Sequence, residues 1–266
     1  KLAEQIPEAD AFLDTKNLDR IIELCGGKSE NRIIESPEKK SFLYGDNTPR
    51  IRATLPHTAY VKISEGCSHN CSFCVIPGIK GKLSSRPVDS IVREAESLAE
   101  QGVREINLVS QDTTNYGLDI SGKQMIVPLL KSLVKVGGIK WIRLLYCHPD
   151  FIRDDLLELI AKEEKLCKYL DIPMQHSDES LLKAMKRGGS GERYAGLVEK
   201  IRRKVPGAAI RSAFIVGFPG ETEAKFRGLL DFLGNVKLDK VGFFIYYLEE
   251  GTSAYQLKGR VSAREK

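Results

Sequence analysis

The chain has 266 residues, 42% of them hydrophobic and 29% charged. That balance describes a globular protein with a sizeable core, and it excludes a disordered polyelectrolyte or a disulfide-stapled miniprotein. With 41 basic and 36 acidic side chains the net charge is +5, which permits nucleic-acid contact without requiring it. No apolar run approaches the roughly 18 residues needed to cross a bilayer, so no membrane is expected as a partner. Three of the six cysteines are clustered, a pattern that suits a metal site in a reducing cytoplasm.

The opening residues KLAEQIPEADAFLD have the features of neither a signal nor a transit peptide. The missing initiator methionine points to a piece of a longer protein. Within residues 1–28, LDRIIELCGG reads as a brief amphipathic helix closed by Gly26 and Gly27. Residues 29–51 are polar and broken by prolines, as in a linker. From residue 52 onward short apolar runs alternate with helical patterns. The expected strands are 59–64, 104–110, 141–147, 169–174, 210–217 and 241–247. Most are apolar or β-rich throughout, as expected of parallel strands covered on both faces.

Between the strands, PVDSIVREAESLAEQG predicts a helix with Ile91, Val92, Ala95, Leu98 and Ala99 on one face, opened by Pro87 and ended by Gly102. Further helices are expected near 124–136, 151–165, 191–204 and 222–234, with shorter helical turns at 179–187 and 127–131. Six βα units in a row give an α/β fold with a parallel sheet, either open or curled into a partial barrel. Functional groups then gather at the C-terminal strand ends. The polar clusters obey that rule: the cysteine loop, SQDTTNYG, CHPD, QHSDES, GFPGETE and LEEGT follow the six strands in turn.

The loop EGCSHNCSFCVIPGIKG (65–81) carries Cys67, Cys71 and Cys74. Three buried thiols, a zinc site and an iron–sulfur cluster are the readings to separate. Zinc prefers four ligands, and His69 lies between the cysteines rather than at a ligand spacing beyond them. A cluster suits thiolates on a short loop, because each sulfur reaches one iron. Three cysteines then leave one iron without a protein ligand. Such a loop has little besides its metal to hold it.

Arg143 is a charge within an apolar run and needs a partner or a ligand. Alternation places it on the face of Leu145, toward a barrel interior, where an internal ion pair competes with a ligand carboxylate. Cys147 reads as a small core residue, His148 as a turn residue before Pro149, and His176 as a hydrogen-bonded rim residue. Arg193, Arg211, Lys80, Lys82, Tyr246 and Tyr247 are candidates to face a substrate, each with a structural reading beside it.

The Cys67, Cys71 and Cys74 spacing, with Phe73 before the last cysteine and the loop after the first of six βα strands, resembles the radical S-adenosylmethionine (SAM) enzymes. The resemblance implies a partial (β/α)6 barrel and a [4Fe–4S] cluster ligated by these three cysteines. It also implies SAM on the open iron, cleaved by one electron to a 5′-deoxyadenosyl radical that abstracts hydrogen from a substrate. It implies cofactor contacts at Phe73, and at Gln111 and Asp112, which would meet the methionine ammonium. Arg143 would meet a carboxylate, Gln175 the ribose or methionine part, and Ile215, Val216 and Gly217 the adenine.

AFIVGFPGETE is similar to the matching element of the methylthiotransferases in that superfamily, and the likeness extends over about 52–266. SQDTTNYG resembles the branch that methylthiolates an aspartate β-carbon in a small-subunit ribosomal protein, free or on the ribosome. The tRNA-modifying branch instead carries a GQNVNxY-like stretch. The family implies a reducing electron donor as partner, with nucleic-acid contact not primary. It also implies a second cluster on three further N-terminal cysteines and a C-terminal TRAM domain. Residues 1–28 would be a remnant of that N-terminal domain and 52–266 the catalytic core. Such a fragment is expected to bind one cluster and SAM but not to complete methylthiolation.

Overall fold

The computed structural model describes residues 2–14, 17, 21–26, 33–34 and 43–266. Most of the expected linker, and the ends of the expected N-terminal helix, lie outside these. A helix does form over Ile21–Gly26, and Ala11–Phe12 pairs in parallel with Ile33–Ile34.

Six strands form one parallel sheet: β1 (Thr58–Lys62), β2 (Glu105–Val109), β3 (Trp141–Leu144), β4 (Leu166–Asp171), β5 (Ala209–Val216) and β6 (Lys240–Ile245). Their spatial order is β6-β5-β4-β3-β2-β1, an open arc with free edges at β1 and β6. The crossovers run through α1 (Val88–Glu100), α2 (Ile126–Leu133), α3 (Asp154–Lys162), α4 (Glu179–Ala184), α5 (Gly191–Lys204) and α6 (Glu223–Val236). The main helices arise where expected. In α1, Ile91, Ala95 and Leu98 are buried on one face, Pro87 opens the helix and Gly102 (φ +87°) follows it. Asp178, Ser190 and Thr222 cap α4, α5 and α6 by accepting the N–H groups of Leu181, Arg193 and Lys225.

The strands differ from expectation in covering and length. Helices cover one face only, burying Ala59, Val61, Ile106, Leu108, Ile142, Leu144, Leu170, Ile210 and Phe214. The other face carries Lys62, Asn107, Val109, Arg143, Tyr169, Arg211 and Ala213 and opens into the lumen of the arc. β3 stops at Leu144 because Tyr146 takes a left-handed backbone (φ +59°), which a ladder cannot continue. β4 starts earlier than expected, at Leu166, which pairs with Ile142. β4 ends at Asp171, two residues before Pro173, which has no N–H to donate.

The last part of the expected linker is docked. Asp46 accepts from Ser90 Oγ and Arg93 Nε, both at 2.7 Å, and Arg50 bonds Glu94 and the Tyr60 carbonyl. Glu94 also pairs with the fully buried Arg86, so this segment is fastened to the core beside β1.

Candidate cluster and cofactor site

The cysteine loop leaves β1 through a short antiparallel pair, Ser64–Glu65 with Ser84–Ser85. Gly66 sits between (φ +73°), and a Cβ there would lie 2.3 Å from the Lys82 carbonyl oxygen, so only glycine fits. Backbone bonds then tie the loop down. Cys67 N donates to Gly81 O (3.1 Å), Ser72 N to Met185 O (2.9 Å), and Ala254 N to Ser72 O (2.8 Å). The loop therefore has protein anchors besides any metal, which differs from the sequence expectation. The reason is long-range: Met185 and Ala254 are remote in sequence. Burial raises the Cys67 and Cys74 thiols above the ordinary cysteine range.

All three cysteines line one cavity of about 600 Å³ at the C-terminal ends of the strands, within the size range of cofactor sites. Phe73, Gln111, Gln175 and Ile215 share that lining. Gln111 Nε2 donates to Glu65 at 2.9 Å, while Gln111 Oε1 is buried with no hydrogen-bond partner. An unpaired buried acceptor is costly unless a ligand supplies a donor. Gln175 also has a left-handed backbone (φ +71°), held by Gln175 N to Ala213 O and Ile215 N to Gln175 O.

Four expected site residues are placed elsewhere. Asp112 is buried and engaged within the protein, by His69 Nε2 (2.6 Å), Asn115 Nδ2 (2.7 Å) and the Thr114 N–H and hydroxyl. Burial would raise its pKa, but the bonds from His69 and Thr114 together outweigh that and hold it below the ordinary carboxylate value. Arg143 does face the lumen, but toward its other end, paired with Glu105 (2.9 Å) and lying over the Tyr169 ring. Val216 and Gly217 line a separate depression against Lys266, because alternation along β5 sends Ile215 and Val216 to opposite faces.

Sequence reasoning gave no cavity role to Tyr146, His148, Arg187 or Phe244, which the structure adds. His148 stacks on His69 (centroids 4.5 Å apart), and its pKa is pushed down to about 3, by burial first and then by the charges of Arg187 and His69. Arg187 lies 3.8 Å from Cys71 Sγ and donates to Pro173 O. Its position after α4 carries no local signal. His176 is fully buried. Its Nδ1 accepts from Asp178 N, so Nε2 bears the proton and donates to Glu221, which also receives Gly217 N. Among the other cysteines, Cys147 is buried, Cys167 lies on β4 and Cys25 is exposed.

The donor set distinguishes the metal readings. Among the described residues, no three Cys, His, Asp or Glu side chains converge as a single ion would require. A cubane cluster has no such requirement, since each thiolate binds a different iron. Residues 61–233 match the Radical SAM superfamily. The chain belongs to that superfamily. Membership brings the cofactors of a radical SAM enzyme, a [4Fe–4S] cluster and SAM, and the site fits both. Three thiols stand beside a cavity with a ring wall and an unpaired acceptor.

The whole chain is 44% identical to the ribosomal protein uS12 methylthiotransferase RimO of Desulforamulus reducens, over 60% of that protein. The chain thus spans about 60% of the length of such curated relatives. Among solved structures it resembles the radical SAM methyltransferase TsrM of Kitasatospora setae, described with cobalamin and a [4Fe-4S] cluster bound. That match has a TM-score of 0.63 at 23% identity, covering 74% of this chain and 38% of the other. Coproporphyrinogen III oxidase (HemN) of Escherichia coli gives a TM-score of 0.58 at 19% identity, covering 80% of this chain and 51% of HemN. These two likenesses concern the fold. No helix among the described residues is long and apolar enough to cross a membrane.

Proposed function

We propose that this chain is the catalytic core of a methylthiotransferase that modifies the β-carbon of an aspartate in ribosomal protein uS12. The observation that carries the reading is the 44% identity to RimO over the full length of the chain. The cavity at the cysteines gives it a site. When bound, the cluster and SAM supply one-electron cleavage of a sulfonium and a carbon radical that takes hydrogen from the substrate.

The chain's own residues prepare for that chemistry. Cys67, Cys71 and Cys74 hold the cluster, and Arg187 sets a positive charge beside Cys71. Gln111 Oε1 accepts from the SAM ammonium, the role that its missing partner leaves open. Asp112 does not join it, because its oxygens position His69 instead. Phe73, Ile215 and Phe244 form an apolar wall that keeps water from the reactive centre. Gln175 presents its amide at the end of β4 for the ribose or methionine part. The adenine wall is Ile215 alone, with Val216 and Gly217 behind it. A sulfur-supplying second cluster and a TRAM domain belong to the longer protein.

Anaerobic reconstitution, iron counting and electron paramagnetic resonance on this chain and its Cys71→Ala variant test the cluster. About four irons per chain are expected, with the signal lost in the folded variant; an unchanged signal removes the assignment. For the activity, full-length protein is offered a uS12 peptide and tRNA. Methylthiolation of the peptide alone is expected, and modification of tRNA alone overturns the reading.

A further inference from the structure

We propose that Arg211, steered by Asp171, is the group at the cavity floor that receives the carboxylate of the substrate aspartate. This rests on the aspartate-modifying reading above.

Arg211, Ala213 and Ile215 alternate onto the lumen face of β5, and Ala213 and Ile215 line the cavity. Arg211 therefore starts one pleat, about 6.6 Å, below the floor, a distance its long side chain can span. Asp171 is its cross-strand neighbour in the β4–β5 ladder and is almost fully buried. One carboxylate oxygen of Asp171 accepts from Arg211 Nη1 at 2.7 Å. The other accepts from the backbone N–H of Tyr146 at 3.3 Å.

A single buried carboxylate thus aims the guanidinium and also braces the left-handed turn that sets Tyr146 on the cavity wall. Tyr146 remains about half exposed.

The Arg211 side chain is 34% exposed, and among the described residues the bond to Asp171 is its one side-chain hydrogen bond. A guanidinium has five N–H donors, so an edge remains for a second carboxylate. The other lumen cations differ. Lys62 is paired with Glu65, Arg143 is committed to Glu105 and Tyr169, and Arg187 donates to Pro173 O and stands beside Cys71. Lys240, the register neighbour of Arg211 on β6, is exposed and adds positive potential on that side.

The chemistry fits an aspartyl side chain. Its β-carbon is bonded directly to the carboxylate carbon, so a two-pronged grip on the carboxylate leaves the β C–H bonds facing the cavity. A neutral nucleobase offers the guanidinium no anion, and seating one would leave a desolvated charge unmatched.

The test uses full-length protein with its clusters loaded and two peptides, one carrying the uS12 aspartate and one with asparagine in its place. Arg211→Gln is expected to lose on the order of 100-fold in kcat/KM on the aspartate peptide. Its preference for aspartate over asparagine should fall with it. The cluster resonance and its change on adding SAM report whether the site is otherwise intact. Arg211→Lys keeps the charge without the fork, and serves if the glutamine variant does not fold. It is expected to raise KM about tenfold while keeping the aspartate preference. Unchanged selectivity in Arg211→Gln, or equal loss on both peptides with an intact resonance, overturns the proposal. So does a wild-type KM in Arg211→Lys. Wild-type protein that modifies tRNA and neither peptide overturns the aspartate reading itself, which is a different result from an active wild type with an indifferent variant.

Discussion

His69 Nε2 lies 2.6 Å from Asp112 Oδ2, and this pair pins the middle of the cysteine loop to the segment after β2. His69 falls between Cys67 and Cys71, so holding its ring holds the spacing of the two thiols. His148 stacks behind the ring and Phe151 lies 5.5 Å from it. The carboxylate expected to meet a ligand is bonded instead within the scaffold that carries Cys67 and Cys71.

Asp112→Ala should therefore act on stability and cluster content together. It leaves the Thr114 N–H and hydroxyl without their acceptor, and leaves the Asn115 amide only the longer contact to His69 Nε2. Losing the acceptor for several buried donors costs about 2–4 kcal/mol. Urea unfolding measures that loss, and iron per chain after reconstitution should fall in parallel. A wild-type urea midpoint would show that His69 is not held by this carboxylate.

A second expectation concerns acid. Burial and nearby positive charge push His148 from 6.5 down to about 3. The unfolded chain then binds a proton near pH 6.5 that the folded chain refuses, so stability falls as pH drops below that value. The Asp112 carboxylate, held below 3.8, contributes mainly at lower pH. Between pH 6.5 and 4.5 the His148 effect amounts to roughly 2–3 kcal/mol. His148→Asn removes the titration and should flatten the urea stability profile across that window. An equally steep profile in the variant would assign the acid sensitivity to another group.

What could be read from the sequence followed the physics of local patterns. Six βα units, the rim clusters and the three-cysteine loop all rest on periodicity, punctuation and spacing, which one segment carries by itself. Alternation sends Arg143 to the lumen face, but its partner depends on the register that sets it opposite Asn107, one pleat along from Glu105. Asp112 and Gln111 are neighbours with similar polarity, and only the tertiary contact to His69 separates their roles. Arg187 reaches Cys71 across more than a hundred residues, a relation that no local pattern records. Composition predicts strands buried on both faces because it does not reveal which face meets a helix and which meets a cavity.

Gly66→Ala tests whether the loop is set before any cluster binds. The new methyl would meet the Lys82 and Gly81 carbonyls at 2.3 and 2.6 Å in a left-handed backbone. Neither neighbour is a flexible side-chain end, so the Ser64–Glu65 and Ser84–Ser85 pairing must open. A loss of about 2–4 kcal/mol follows from strain plus lost pairing. Apo-protein hydrogen exchange should show faster exchange at Cys67 N, which bonds Gly81 O in the native loop. Native protection at that amide would mean that the hairpin does not hold the loop.

Gln111→Leu isolates the unpaired oxygen. The substitution keeps an apolar stem of similar length and removes the amide, so Glu65 loses one donor but keeps Lys62. If Oε1 receives the SAM ammonium, the variant loses a hydrogen bond to a charged group, worth about 1.5–3 kcal/mol. SAM affinity of the reconstituted protein, measured by equilibrium dialysis, should then weaken by roughly 10- to 100-fold. Cluster content should stay near wild type, because Gln111 bonds Glu65 at the entrance of the loop, which Lys62 still holds, and none of the three cysteines. The two readouts separate the alternatives. Lost affinity with a full cluster marks a cofactor contact, whereas a depleted cluster marks a purely structural residue. Wild-type affinity would mean that the orphan oxygen serves neither role, and the ammonium would have to find its acceptor elsewhere in the cavity.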